Sequence, residues 1–372
     1  MKLCCVFNYN PLYRWPIFHA MDEEFDCDFF FGDTVHQNIQ NFNPNKLHGF
    51  RHYIITKRIG KRGFIFHKNI KDIFSKRYTH YLLTGNSSYC VNWLVLLYAK
   101  LFKIKVYLWT HGIHSHTSSK RGKFVNKLFF KYVDGIFLYG EYAVPYMIDI
   151  GCKQEKLHIV HNSLDTNLQT EIYNSISPDN VYSSHFGNHR PNVIYLGRIQ
   201  KRKKIDELIK AIVLCKNAGE LINLTLVGPQ EDDDSIFQQV KELKIENQLW
   251  LYGPCYDEEH IAKLLYNADV FVCPSAVGLS CIHSLSYGTP VVTNDDFENQ
   301  MPEFEAIQEG VTGSFFKNTD VQDLANKITF WIHRNEEEKL ITQKAARREI
   351  LKAWSVDYQI NVFKSVMESS LS

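Results

Sequence analysis

The stretch from Val270 to Thr293 constrains this chain more than any other. It reads Val270-Phe-Val-Cys273, a turn at Gly278, a helical segment through His283, and then Pro290-Val-Val-Thr293. Two short, uninterrupted apolar runs joined by a glycine-started helix are buried on both faces, as parallel strands of a layered α/β sheet are. The layout also leaves the first amides of that helix at a sheet edge, where an anionic phosphate is favourably placed. Arg198 and Lys203 upstream add positive charge, and together these features predict an enzyme that handles a nucleotide diphosphate.

The same alternation runs along the chain. Lys2-Leu-Cys-Cys-Val-Phe7, Tyr81–Thr84, Val106–Thr110, Gly135–Tyr139 and Lys156–Val160 are expected strands of a first parallel sheet, with Val91–Phe102 as a packed helix among them. A polar stretch from Ser175 to Pro191 breaks the pattern and reads as an interdomain linker. Asn192–Leu196 opens a second series. Ile205, Leu208, Ile209 and Ile212 mark one helical face, Leu221–Val227 and Leu249–Tyr252 are further strands, and residues 336–370 are helical in character. Two doubly wound domains facing a common cleft are the expected architecture.

Composition removes several function classes. Nine cysteines form no C-x-x-C pair and are odd in number, which argues against a disulfide framework or a zinc cluster and for a reducing cytosol. The most apolar run, Val91–Phe102, is interrupted by Asn92 and Lys100 and is too short to span a bilayer, and no secretory leader is expected. Charge is unevenly divided. Residues 1–166 hold 22 Lys+Arg against 12 Asp+Glu, and the remainder reverses the sign. Lys46–Arg77 carries ten basic residues and one acid, interleaved with aromatics, and Lys100–Lys131 carries eight and none. Such a pattern suits an anionic membrane surface, or a solvated basic face without a partner. No zinc-finger or RNP segment accompanies it, so no nucleic-acid partner is expected.

Gly197-Arg-Ile199 followed by Lys203 and Asp206 resembles the G-R-[LI]-x-x-x-K-x-x-D pattern of family 4 glycosyltransferases. Leu226-Val-Gly228, Tyr252-Gly253, Asn267–Ser275, Gly288–Val292 and Glu305–Gly313 follow in that family's order. His111-Gly112 and Leu157–Asp165 extend the likeness into the first half. The resemblance implies the GT-B fold: a Rossmann-like acceptor-binding domain over 1–175, a linker at 176–191, a Rossmann-like donor-binding domain over 192–350, and a C-terminal helix, 351–372, crossing back to the first domain. One departure stands out. The family's paired glutamates, eight residues apart, are here Ser275 and His283, which resembles a variant branch of bacterial polysaccharide-assembly enzymes. A neutral imidazole offers one donor and one acceptor, so His283 could hold one ribose hydroxyl but not reproduce a carboxylate's grip.

By this likeness Arg198 and Lys203 stabilise the departing diphosphate, aided by backbone near Val277, Gly278 and Leu279, with Gly197, Gly228, Tyr252, Gly253 and His283 also on the nucleotide. Ser275, Glu303 and Glu305 are candidates for the donor sugar. His111, directly after a buried strand, is expected at the sheet's C-terminal edge as a catalytic candidate, although a structural histidine fits as well. Asn8, Tyr9, Tyr13 and His114 are weaker acceptor candidates. The acids of Glu231-Asp-Asp-Asp234 read as a solvated loop, and no metal or other cofactor is expected beyond an NDP-sugar co-substrate. The implied activity is retaining, metal-independent transfer of a sugar from UDP or GDP to a glycan or polyprenyl-diphosphate-linked acceptor in capsule, exopolysaccharide or O-antigen assembly. It would take place in the cytoplasm at the inner face of the plasma membrane. A non-catalytic nucleotide-binding subunit, or another GT-B enzyme such as a nucleotide-sugar epimerase, are the alternatives.

Overall fold

A computed structural model describes residues 1–33, 40–58, 64–113, 120–232 and 235–369. The chain divides into two compact units, one of residues 1–165 together with those from Ser355 onward, the other of Thr166–Trp354.

The first unit contains β1 (Lys2–Phe7), α1 (Trp15–Glu24), β2 (Asp26–Gly32), β3 (Phe50–Arg58), β4 (Ile65–Lys68), β5 (His80–Thr84), α2 (Cys90–Phe102), β6 (Lys105–Thr110), α3 (Lys120–Lys131), β7 (Gly135–Leu138), α4 (Val144–Asp149) and β8 (Leu157–Ile159). Its sheet runs β4-β3-β2-β1-β5-β6-β7-β8 and is parallel except where β4 turns back on β3. Because β1 lies between β2 and β5, successive crossovers diverge there, opening a crevice beyond the strand ends. Phe7, Phe18, Phe29, Phe31 and Trp109 interlock on one face of the sheet, where Phe18 and Trp109 rings meet edge to face at 6.3 Å.

A buried carboxylate joins the start of this sheet. Asp28 Oδ1 accepts from Arg51 Nη2 at 2.6 Å and lies 3.0 Å from Lys2 Nζ, while Oδ2 accepts from Tyr78 Oη at 2.7 Å and from Arg77. Burial alone would raise its pKa, but the bonds from Arg51, Tyr78 and Lys2 outweigh it and hold the group at about 2. Two of the ten cations between Lys46 and Arg77 are therefore structural.

The second unit contains α5 (Thr166–Ser175), α6 (Val181–Phe186), β9 (Asn192–Leu196), α7 (Ile205–Asn217), β10 (Asn223–Val227), α8 (Ser235–Glu242), β11 (Leu249–Gly253), α9 (Glu258–Tyr266), β12 (Val270–Cys273), α10 (Leu279–Ser286), β13 (Val291–Asn294), β14 (Gly313–Phe316), α11 (Val321–Ile332) and α12 (Glu336–Ala353). All six strands are parallel in the order β11-β10-β9-β12-β13-β14, the dinucleotide-fold arrangement with its switch between β9 and β12. Ile205, Leu208, Ile209 and Ile212 are all buried, as their helical spacing predicts. A final helix, α13 (Val356–Ser369), belongs to the first unit, where Phe363 packs edge-on against Phe137 at 4.7 Å and Trp109 at 5.1 Å.

Two expectations change. Residues 176–191 are not a free linker: α6 buries Tyr182, whose hydroxyl donates to the Leu264 carbonyl at 2.6 Å, and the segment packs into the second unit from Thr166 onward. One apolar ring with a buried partner outweighs the surrounding polar residues. Similarly, the basic stretch after Lys46 contains strands β3 and β4, whose exposed side chains mix cations (Arg51, Lys57, Lys68) with apolar and aromatic residues (Tyr53, Ile55, Phe66) and so hide the alternation.

Candidate functional site

In the second unit, β9 and β10 are each followed by, and β11 ends on, a glycine with positive φ: Gly197 (150°), Gly228 (145°) and Gly253 (85°). The Gly228 amide donates to the Gly253 carbonyl at 2.9 Å and the Gly197 amide to the Val227 carbonyl at 2.8 Å. A Cβ on Gly228 would lie 2.0 Å from the Gly197 oxygen, so the close approach of these loops requires glycine. The three expected glycines thus form one cradle at the C-terminal edge of the sheet.

Across the switch point, Lys203 Nζ donates to the Ala276 carbonyl at 2.7 Å, fixing its ammonium at the turn that starts α10. The turn itself is rigid. Gln300 Oε1 accepts from the Val277 amide at 2.8 Å, and its Nε2 donates to Thr293 Oγ1 and the Asn294 carbonyl. Thr293 Oγ1 bonds the Cys273 and Ser275 carbonyls, and Asn294 Nδ2 bonds that of Pro274. The Val277 amide is therefore already engaged, unlike the expectation that it serves a phosphate. The first-turn amides of Gly278 and Leu279 are the ones a helix leaves without an internal partner.

Arg198 lies on the other side of the cradle, its Nη1 3.9 Å from Glu231 Oε1. Glu231 also accepts from Gln200, and Asp232 Oδ1 accepts from the Lys201 amide at 3.0 Å. Glu231, half-buried, braces the cationic loop, and Asp232 bonds it from an exposed position as the solvated reading expects, because the loops after β9 and β10 are neighbours. Asp233 and Asp234 lie outside the described residues.

His283 does not stand alone. Its Nε2 is 2.9 Å from Glu258 Oε1, an atom that also accepts from Tyr287 Oη at 2.7 Å and Gln169 Nε2 at 3.1 Å. Burial would raise the Glu258 carboxyl, but the charge and hydrogen bond of His283, with those of Tyr287 and Gln169, hold it down at about 2. Ser275 and Glu303 are buried, Glu305 is half-buried, and Tyr252 rests against Trp250 with ring centroids 5.1 Å apart. Glu258 and Gln300 escaped the sequence reading because nothing local distinguishes them from a helix N-terminal acid and a loop amide.

In the first unit, the switch point between β1 and β5 opens into a cavity of about 440 Å³. Asn8, Tyr9 and Tyr13 from the loop after β1, Gly85 and Asn86 after β5, and His111 after β6 line it. The three N-terminal candidates and His111 thus come together; His114 lies outside the described residues. The His111 ring packs on Tyr139 with centroids 4.5 Å apart, and Tyr9 and Tyr13 hydroxyls are 3.4 Å apart. Arg14, missed from the sequence, is the cavity's cation. Its guanidinium lies 4.6 Å from the Trp109 ring centroid and donates to Tyr139 Oη. Burial disfavours its charge, but the phenol oxygens of Tyr139 and Tyr13 outweigh that and raise its pKa.

Residues 181–348 match the family described as glycosyl transferases group 1. The chain is 24% identical over 252 residues to an uncharacterized 41.2 kDa protein in the cps region of Klebsiella pneumoniae, covering 65% of this chain and 64% of that one. It is 30% identical over 166 residues to the sulfoquinovosyl transferase SQD2 of Arabidopsis thaliana, covering 43% and 30%. The chain therefore spans less than two thirds of the length of either relative. Among solved structures it is similar to Anabaena Alr3699/HepE in complex with UDP (TM-score 0.74, 15% identity, 99% of each chain). It is also similar to the lipopolysaccharide outer core galactosyltransferase WaaB (TM-score 0.71, 14% identity, 100% of each chain).

Proposed function

From a group 1 glycosyl transferase domain at residues 181–348 in a chain of GT-B fold, we propose that this protein transfers a sugar from an NDP-sugar to a glycan or lipid-linked acceptor of cell-surface polysaccharide assembly. The observation that carries the reading is the meeting of Lys203, the Gly197–Gly228–Gly253 cradle and the α10 N-terminus at one switch point. Cleaving a sugar–phosphate bond builds charge on the leaving diphosphate. Fixed donors already aimed at that position stabilise it without reorganising. Lys203 supplies a held ammonium, Arg198 a second cation, and Gly278 and Leu279 the helix-end amides. The solved relative's complex with UDP favours a uridine nucleotide. Transfer proceeds with retention, without a metal or further cofactor, the departing diphosphate helping to take the acceptor's proton. The acceptor binds at the Arg14 and His111 cavity of the first unit, and the enzyme works at the cytoplasmic face of the membrane.

The test is titration of UDP, GDP and CDP, then product analysis over a panel of their sugars. Arg198→Ala and Lys203→Ala should each weaken nucleotide binding by about 10- to 100-fold, as loss of a charged hydrogen bond does. Unchanged affinity in both variants would overturn the assignment. The engagement of His283 by Glu258 favours one other reading, a nucleotide-binding subunit without turnover. Binding without any transfer or hydrolysis would establish it.

A further inference from the structure

The two basic, aromatic segments that are separate in sequence meet in the first unit. Lys76 Nζ lies 4.8 Å from the Phe102 ring centroid, and Phe74 packs on Tyr98 at 5.4 Å. Beside this junction, α2 and α3 lie next to each other, with Trp93 and Phe129 rings 5.3 Å apart. Both helices turn large apolar side chains to the outside. Leu97 is 70% exposed and Leu101 74%, with Leu94 one turn earlier on the same stripe, and Phe124 is 67% exposed with Leu128 and Tyr132 following at i+4 and i+8. The inner faces of the same helices are fully committed to the core through Val95, Ala99, Phe129 and Phe130. Lysines interleave this outer row: Lys100 Nζ is 5.2 Å and Lys131 Nζ 5.8 Å from the Tyr132 ring centroid, while Lys103 and Lys127 are exposed beside it. From Lys100 to Lys131 the sequence has no acid to neutralise them.

A face with projecting leucines and phenylalanine among exposed lysines that outnumber the nearby acid, Asp134, is complementary to an anionic bilayer, whose phosphates meet the ammonium groups while the apolar tips enter the acyl boundary. Among the described residues no helix is long and apolar enough to cross a membrane. We propose that the outer face of α2 and α3 docks the protein on an anionic lipid surface, lying on the bilayer rather than spanning it. This deepens the reading of a lipid-linked acceptor, and it can fail independently, because vesicle binding needs no nucleotide.

The experiment is co-sedimentation of the full chain with vesicles of phosphatidylcholine alone and with about a third phosphatidylglycerol. Binding should require the anionic lipid and weaken in high salt. Each lysine near an anionic surface contributes about a fivefold factor in affinity, so Lys127→Gln with Lys131→Gln should lose about 25-fold. Leu97→Ser with Leu101→Ser should lose at least about tenfold. Retained UDP affinity and an unchanged thermal midpoint show that each variant is folded; if the leucine variant unfolds, the lysine variant carries the test alone. Three results would overturn the proposal: no sedimentation of the wild type with anionic vesicles, equal sedimentation of wild type and variants, or a wild-type dimer that Leu97→Ser dissociates. The last would assign the face to a second copy of the chain.

Discussion

Replacing Glu258 by Gln removes the charge that three side chains share. Its Oε1 faces His283, Tyr287 and Gln169 within 3.1 Å, and the carboxylate is about a quarter exposed against 12% for His283. Holding the carboxyl at about 2 instead of 4.5 corresponds to about 3 kcal/mol, which partial solvent access trims toward about 2 kcal/mol. The sign follows from the depressed folded-state value. The stabilisation is complete above pH 4.5 and drains away as pH falls from 4.5 toward 2, while the Gln variant has no carboxyl to titrate. Urea unfolding followed by tryptophan fluorescence, from pH 7 down to pH 3, should therefore show the wild type more stable by about 2–3 kcal/mol near neutrality and the gap closing in acid. For a unit of this size the neutral-pH gap equals a fall in thermal midpoint of roughly 4–12 °C. A gap below about 0.5 kcal/mol at pH 6, or one that stays constant down to pH 3, would refute the account. If His283 contacts the nucleotide, UDP affinity should fall with it, since the imidazole loses the partner that orients it.

Gly228→Ala should unfold or strongly destabilise the second unit, by more than about 3 kcal/mol, since the new Cβ would sit 2.0 Å from backbone oxygen at a φ of 145°. Gly219→Ala, also at positive φ but with nothing within 4 Å, should cost only about 1–2 kcal/mol; equal thermal midpoints for the two variants would remove steric closure of the cradle as its cause. Arg14→Met preserves the packing on Trp109 and Tyr139 but deletes the cation, so KM for the acceptor should rise about tenfold or more while UDP affinity is unchanged. A variant with unaltered acceptor kinetics would exclude Arg14 from substrate contact.

The strands that lie deep in either sheet were legible because burial on both faces forces an uninterrupted apolar run: Asn192–Leu196 and Val270–Cys273 fall at the residues their hydrophobicity marks. The amphipathic period of α7 was equally direct. Where a strand sits at an edge, as β4 does, solvent admits charge and the pattern disappears. Residues 176–191 misled in the opposite way, since a polar stretch can still be anchored by one buried ring, Tyr182. In the candidate site, glycines were readable because only they tolerate the backbone that a tight strand-to-loop turn needs. Glu258, Gln300 and Arg14 were not, because an acid, an amide or a cation has no meaning until its partners arrive. Those partners, His283, the Val277 amide and the Trp109–Tyr139 pair, lie from 23 to 125 residues away. The sequence alone determined two doubly wound sheets and the glycines at the strand ends of the second, for local hydrophobicity and backbone freedom are written residue by residue. Only the tertiary structure decided which charges are braced, which amides are already taken and which apolar side chains face outward, because each depends on distances between segments that the order of residues does not record.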